Sequence, residues 1–212
     1  VMVMTDFHNR WNPAICQVKA AIDNGELGEP QMISLRLNDT IYVPTGMLSW
    51  GGTSTVVWFL GSHVVDVVRW LFNDEIVRVY SVSRSRVLAA RGINTPDFFH
   101  TICELKGGGV AHLENCWIMS DALPTVCDFR GEIIGSEGTC LLDCIAHRMV
   151  EKYSSQPVLP ISSTPGAVYP DVSVAMEIHG QPRGFGFESI WHFVDCVAGL
   201  KKPLVTPEDG VR

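Results

Sequence analysis

Two side chains that can move protons sit three residues apart in an otherwise apolar stretch: His63 and Asp66, within Trp58–Phe72. Val64, Val67, Val68 and Leu71 recur at the spacing of one helical face, so the stretch is expected to form a buried helix. The same spacing rule puts His63 and Asp66 on one side of that helix. Imidazole titrates near neutral pH and can serve as general acid or base. Burying a polar group without a partner costs about 2–7 kcal/mol, so the pair points either to chemistry or to a structural network. In the structural alternative His63 is a satisfied core histidine and Asp66 pairs with Arg69 or Arg10, since ion-pair networks also perturb titration. Shared metal coordination, for a metal-dependent isomerase or hydrolase, has suitable spacing but no third ligand. Cys140 and Cys144 likewise lack a second ligand pair.

The elements that must position this pair can be read along the chain. Pro13–Asn24 has a helical stripe of Ile15, Val18, Ala21 and Ile22, with Pro13 in its first turn and Gly25 as its stop. Gln31–Asn38 alternates as a strand, and 39–55 is loop-like. Strands are expected at Val77–Val87, at Phe98–Leu105 and Val110–Met119 as a hairpin across Lys106–Gly109, at Val126–Ile134, at Thr139–Asp143 and at His147–Tyr153. Residues 154–184, rich in Ser, Pro and Gly, read as a long loop. Phe187–Leu200 reads as a helix with Ile190, Phe193, Val194 and Val197 inward. Thr206-Pro207-Glu208-Asp209 has the pattern of a capped helix start, while Val1–Met4 reads as mid-strand. The chain is therefore expected to be a single domain over 1–212, cut from a longer protein at both ends.

These elements imply an α+β fold: an open, mostly antiparallel β-sheet with helices packed on one face. The other face mixes His100, Glu104, His112 and Glu114 with apolar residues, which suggests a homodimer or higher homo-oligomer formed through the sheet face. Of the 212 residues 46% are hydrophobic and 18% charged, and the formal net charge is −7. No basic face is available for phosphate backbones, so nucleic acid is an unexpected partner. No run of about 18 apolar residues suggests a membrane span, and no signal peptide opens the chain. Seven cysteines, an odd number without a C-x-x-C pair, fit a reducing cytoplasm.

Several motifs, in order, give the sequence a resemblance. They are Phe7-His8-Asn9-Arg10-Trp11-Asn12-Pro13, Ile22-Asp23-Asn24-Gly25-Glu26-Leu27-Gly28, Gly61-x-His63-x-x-Asp66-x-x-x-Trp70-Leu71, Ile134-Gly135-Ser136-Glu137-Gly138-Thr139, and Phe193-Val194-Asp195 with Leu204–Gly210. Together the set resembles the C-terminal domain of the Gfo/Idh/MocA family of NAD(P)-dependent oxidoreductases. The resemblance implies a substrate-binding and oligomerisation domain of an enzyme that removes hydride from a sugar, polyol or related hydroxy compound. NAD or NADP would serve the full-length protein. None is expected to bind this chain alone, because no Rossmann fingerprint follows a strand and the family's Glu-Lys-Pro lysine is missing.

By that resemblance His63 is the catalytic histidine and Asp66 a supporting residue. Asn9 and Arg10 lie near the substrate cleft, and Trp50 of Trp50-Gly51-Gly52 lines the mouth on the cofactor side. From its residue type alone, Trp117 offers either a stacking surface to a small-molecule substrate or a core tryptophan. The family's Asp four residues before the histidine is replaced by Phe59. That departure motivates the alternative of a non-catalytic binding or assembly module derived from the family.

Overall fold

The computed structural model describes residues 2–144, 152–154, 166–168, 174 and 176–211. Its centre is a six-stranded sheet built from β1 (Pro30–Asp39), β2 (Ile76–Arg84), β3 (Phe98–Leu105), β4 (Val110–Cys116), β5 (Cys127–Gly135) and β6 (Thr139–Asp143), in the order β2-β3-β4-β1-β5-β6. β1 runs parallel to β4 and antiparallel to β5, and every other neighbouring pair is antiparallel. The fold is α+β, with an open, mostly antiparallel sheet.

The strand periodicity decides which face is buried. Ile33, Leu35 and Leu37 of β1 alternate inward with Cys103, Leu105, Ala111, Leu113, Phe129 and Ile133 of its neighbours. Against this face pack α1 (Pro13–Asp23) through Ile15 and Val18, and α2 (Ser62–Phe72) through Val64, Val67, Val68 and Leu71. Asn12 caps α1 by accepting a bond from the Ala14 amide. A π-helical turn, Val57–Gly61, leads directly into α2. A Cβ on Gly61 would stand 3.2 Å from the Asn115 side-chain oxygen, so glycine lets the start of the helix approach β4.

Two of the turns that carry the family resemblance meet in space. Gly25–Gly28 packs on Gly135–Gly138, where the Ser136 and Glu137 amides donate to the Glu29 and Leu27 carbonyls. A Cβ on Gly135 would fall 2.0 Å from the Leu27 oxygen, so these motif residues are a backbone-to-backbone joint.

Several elements differ from the sequence reading. Residues 2–7 form no strand. The loop after β1 contains a π-helical turn, Val43–Met47, and a 3-10 turn, Gly51–Thr53. Part of the expected strand 147–153 and most of the expected loop 154–184 lie outside the described residues. Those that are described form two short hairpins, Lys152–Ser154 with Gly166–Val168 and Met176–Ile178 with Gln181–Arg183. Helix α3 starts at Phe185 and runs to Val197. Its buried side carries Phe185, Ser189 and Cys196. Ile190, Val194 and Val197, expected inward, are instead about half or more exposed at 50, 49 and 62%. α3 packs on the short 3-10 turn His8–Trp11 rather than on the sheet, so the side it buries is set by Trp11 and His8. The short helix α4, Pro207–Val211, begins as expected, with the Thr206 amide and hydroxyl both donating to Asp209. Among the described residues no helix is long and apolar enough to cross a membrane.

One buried ion pair ties the N-terminal segment, α2 and the C-terminal segment together. Arg10 donates to both Asp66 oxygens, at 3.0 Å from Nε and 2.6 Å from Nη2. It also donates to the Leu204 carbonyl at 3.1 Å, lies 3.3 Å from Asp209, and sits 5.8 Å from the Trp70 ring. Burial pushes the Asp66 carboxyl up and the bonds from Arg10 pull it back. On Arg10 the desolvation is outweighed by those same bonds, so the guanidinium stays charged. Of the two partners the sequence offered Asp66, the bonding one is Arg10, and Arg69 pairs with Glu75.

Removing one member of such a pair strands the other charge. Asp66→Ala is expected to lower the unfolding free energy by about 3–5 kcal/mol. The double replacement Arg10→Met with Asp66→Leu should cost less than Asp66→Ala alone. Urea denaturation of the three proteins checks this, and a double variant less stable than Asp66→Ala would contradict it.

Candidate functional site

At the end of the sheet where β1 leaves the core, a cavity of about 300 Å³ opens between β1, the π-helical turn before α2, the His8–Trp11 turn and the start of α3. Its wall is largely apolar, with Leu37, Val43, Phe59, Phe129 and Phe185 among the lining residues. The polar groups that reach it are His8, Asn9, Asn12, Asp39 and His63. Each arrives by a local rule. His63 follows the π-helical turn. Asp39 continues the inward alternation of Ile33, Leu35 and Leu37 by one more step. His8 and Asn9 lie on the 3-10 turn that Arg10 anchors to Asp66.

His63 is not sealed in aliphatic side chains. Its ring lies 4.8 Å from that of His8, centroid to centroid, and 5.9 Å from Phe7 edge-on. Its Nδ1 is buried and has no hydrogen-bond partner among the described residues, an orphan that a ligand in the cavity can satisfy. Burial, reinforced by His8 and opposed by Asp6, lowers the imidazole to about 4. His63 is therefore neutral at physiological pH and able to accept a proton.

Asp39 is a site residue that the sequence reading missed. It is 4% exposed, and burial raises its carboxyl to about 7 against a bond from Cys127. The signal was present in the alternation of β1, which puts position 39 on the inward face. His8 had no comparable signal, because its partner ring lies 55 positions away along the chain.

The remaining expected residues separate into two groups. Asn9 is buried and lines the cavity beside His8. Trp50 is 43% exposed and meets Phe59 edge-on at 5.6 Å, which places it next to the cavity wall. Arg10 does not reach the cavity as a substrate contact, because its guanidinium is occupied by Asp66, Leu204 and Asp209. Trp117 is a correction as well. It is fully buried, and its indole donates to the Pro96 carbonyl at 2.7 Å, so no ring face is open for stacking. Among the described residues no three His, Cys, Asp or Glu side chains converge as a metal site.

The two perturbed groups bias stability in opposite directions. His63 binds its proton more weakly in the folded chain, so its contribution is lost as pH falls from about 6.5 towards 4. Asp39 binds its proton more tightly when folded, so its contribution is lost as pH rises from about 4 to 7. Between those limits the slopes oppose each other. Asp39→Asn is expected to unmask the His63 slope, with stability rising by up to about 1.4 kcal/mol per pH unit between pH 4.5 and 6. Urea titrations across that range check it, and identical pH profiles in the wild type and the variant would show that Asp39 does not titrate there.

Comparison with known proteins agrees with this architecture. The model of the GFO/IDH/MocA C-terminal domain family matches residues 15–141. The chain is 25% identical over 217 residues to scyllo-inositol 2-dehydrogenase (NAD(+)) of Bacillus subtilis, covering 99% of this chain and 56% of that protein. It is also 25% identical over 218 residues to 1,5-anhydro-D-fructose reductase of Ensifer adhaerens, covering 95% and 62%. The crystal structure of scyllo-inositol dehydrogenase from Lactobacillus casei, with NAD(H) and scyllo-inositol bound, superposes with a TM-score of 0.70 at 16% identity, over 100% of this chain and 59% of that one. The chain thus spans about three-fifths of the length of these relatives. With the family match extending from α1 to β6, the chain belongs to the Gfo/Idh/MocA family, through its C-terminal domain.

Proposed function

We propose that this chain is the substrate-binding half of an NAD(P)-dependent oxidoreductase acting on a sugar, polyol or related hydroxy compound, with His63 as the group that takes the hydroxyl proton. The observation that carries this reading is the neutral imidazole of His63, whose Nδ1 has no hydrogen-bond partner among the described residues, at a cavity that also holds the buried carboxyl of Asp39. Asp39 and Asn9 are placed to bond further hydroxyls of the substrate, and the apolar wall fits the ring or chain carbons between them. The inositol and anhydrofructose enzymes among its relatives support this substrate class.

A nicotinamide cofactor accepts or donates the hydride when bound. The residues here fit one end of it. Trp50 presents an exposed ring beside the cavity wall, suited to a flat nicotinamide, whereas the described residues include no glycine-rich strand-turn-helix for a pyrophosphate. The preceding half that this reading requires would hold the rest. A cytoplasmic setting belongs to the same reading, supported by the odd number of cysteines without a C-x-x-C pair.

Phe59 favours a second reading. A phenyl ring in the cavity wall cannot charge-stabilise an imidazolium, so a module that binds its ligand without turnover also fits. The experiment is to assay the chain together with its nicotinamide-binding half against cyclic polyols. His63→Asn is expected to lower kcat by about 10²–10⁴-fold. Full activity in that variant would remove the assignment, and calorimetric binding without hydride transfer in the wild type would support the second reading.

We also propose that the sheet face opposite α1 and α2 pairs with a second copy. One cross-strand row runs Glu132–Ser34–His112–Ile102–Tyr80 and the next Ile134–Met32–Val110–Glu104–Arg78. Leu141 at 80%, Tyr80 at 67% and Ile102 at 45% are exposed there, between ion pairs such as Arg78–Glu104. Alternating apolar and charged groups of both signs suit a two-fold, self-complementary contact. Sedimentation at low micromolar concentration is expected to show a dimer or larger species that Tyr80→Glu with Leu141→Glu dissociates. A wild-type monomer of 23.4 kDa would end this proposal.

A further inference from the structure

Alcohol oxidation releases a proton as well as a hydride, and the proton must leave a largely apolar site. His63 cannot keep it, because burial disfavours the charged ring. The family position that would carry a carboxylate is Phe59. What lies against His63 is His8, with ring centroids 4.8 Å apart at an angle of 46°. Beyond His8 lies Asp6, whose Oδ2 is 3.5 Å from the His8 Nδ1. Exposure rises outward along this series. The Nδ1 of His63 is buried, the His8 side chain is 27% exposed, and that of Asp6 is 55% exposed. Phe7 against His63 and Phe185 against His8 wall the path on its apolar sides. His8 beside it holds the Asp6 carboxyl below its ordinary range, against partial burial.

We propose that His8 and Asp6 form the route by which a proton taken up at His63 reaches water, in place of the carboxylate that Phe59 displaces. This rests on the dehydrogenase reading. As hydride leaves the substrate carbon for the nicotinamide, the hydroxyl proton passes to one nitrogen of His63. His63 passes a proton to His8, and Asp6 stabilises the resulting imidazolium until its proton goes to solvent. His63 returns to neutral, and the sum is alcohol plus oxidised nicotinamide giving carbonyl, reduced nicotinamide and one proton. Reduction runs the same path inward. His8 and Asp6 act through His63 and are positioning residues. The other titratable groups around His63 are Asp39, Cys127 and Cys144 across the cavity, and Asp66 one turn along α2, which Arg10 neutralises.

Two measurements test the route. The first is imidazole NMR titration of the 212-residue chain, which needs no cofactor. Removing the attractive charge with Asp6→Asn is expected to move the His63 titration down, and removing the facing imidazole with His8→Asn to move it up. Shifts of opposite sign support the route, and an unmoved His63 in both variants overturns it. Asp6 is exposed, so its variant is expected to fold even if His8→Asn does not. The second is oxidation kinetics of the chain with its nicotinamide-binding half. His8→Asn is expected to lower kcat about tenfold or more with KM within about twofold, and added imidazole to restore much of the rate. Unchanged kcat in His8→Asn, with an active wild type, overturns the route and leaves the dehydrogenase reading standing. A wild type without hydride transfer removes both.

Discussion

The Arg10–Asp66 pair is the constraint on which the arrangement of the site depends. Its members come from the N-terminal segment and the middle of α2, and the same guanidinium reaches Leu204 and Asp209 near the C-terminus. A guanidinium offers a planar fork of donors, so one side chain can satisfy a carboxylate and a carbonyl at once. His8 is two residues from Arg10, and His63 is one turn from Asp66. The pair therefore fixes the two imidazoles relative to each other without entering the cavity. This also explains why Arg10 is unavailable to a substrate. A buried charge that lost its carboxylate partner to a ligand would be left uncompensated, at a cost of several kcal/mol.

Around that brace the protein places a few titratable groups in an apolar cavity, and burial moves them in opposite directions. The imidazole of His63 is held neutral and the carboxyl of Asp39 is held near neutrality. The two equilibria thus exchange places, with His63 at about 4 and Asp39 at about 7, because burial disfavours the charged form of each. At the position where the sequence resemblance implies a carboxylate, this chain carries Phe59. Phe59 instead packs on Trp50, which makes the wall of the cavity more apolar beside the histidine.

Much of what makes the sequence resemble its family is architectural. The Gly25–Gly28 and Gly135–Gly138 turns meet backbone to backbone, and Gly135 admits no side chain there. Gly61 brings the start of α2 onto β4, and Thr206 with Asp209 closes the C-terminal turn around Arg10. These contacts hold the cavity walls at their spacing. The residues that face the cavity come from the intervals between the motifs as much as from the motifs themselves.

Local periodicity was enough to locate α1, α2 and the strands of the sheet, because a 3.6-residue or two-residue repeat of apolar side chains reports directly which face is buried. The alternation of β1 even contained the inward placement of Asp39, although a loop-like reading from residue 39 onward hid it. Sequence also narrowed the partner of Asp66 to two arginines. Choosing between them required the tertiary structure, because Arg69, three residues away on α2, turns to Glu75 while Arg10 arrives from 56 positions earlier. The same holds for Trp117, whose type suits stacking or core equally until burial is known. It holds too for α3, whose apolar residues occupy more than one side and whose buried side is chosen by the turn it meets. The parallel pairing of β1 with β4 and the contact of His8 with His63 join residues far apart in the chain. Spacing along a sequence specifies neighbours within an element, and only the packing of elements decides which distant side chains share a cavity.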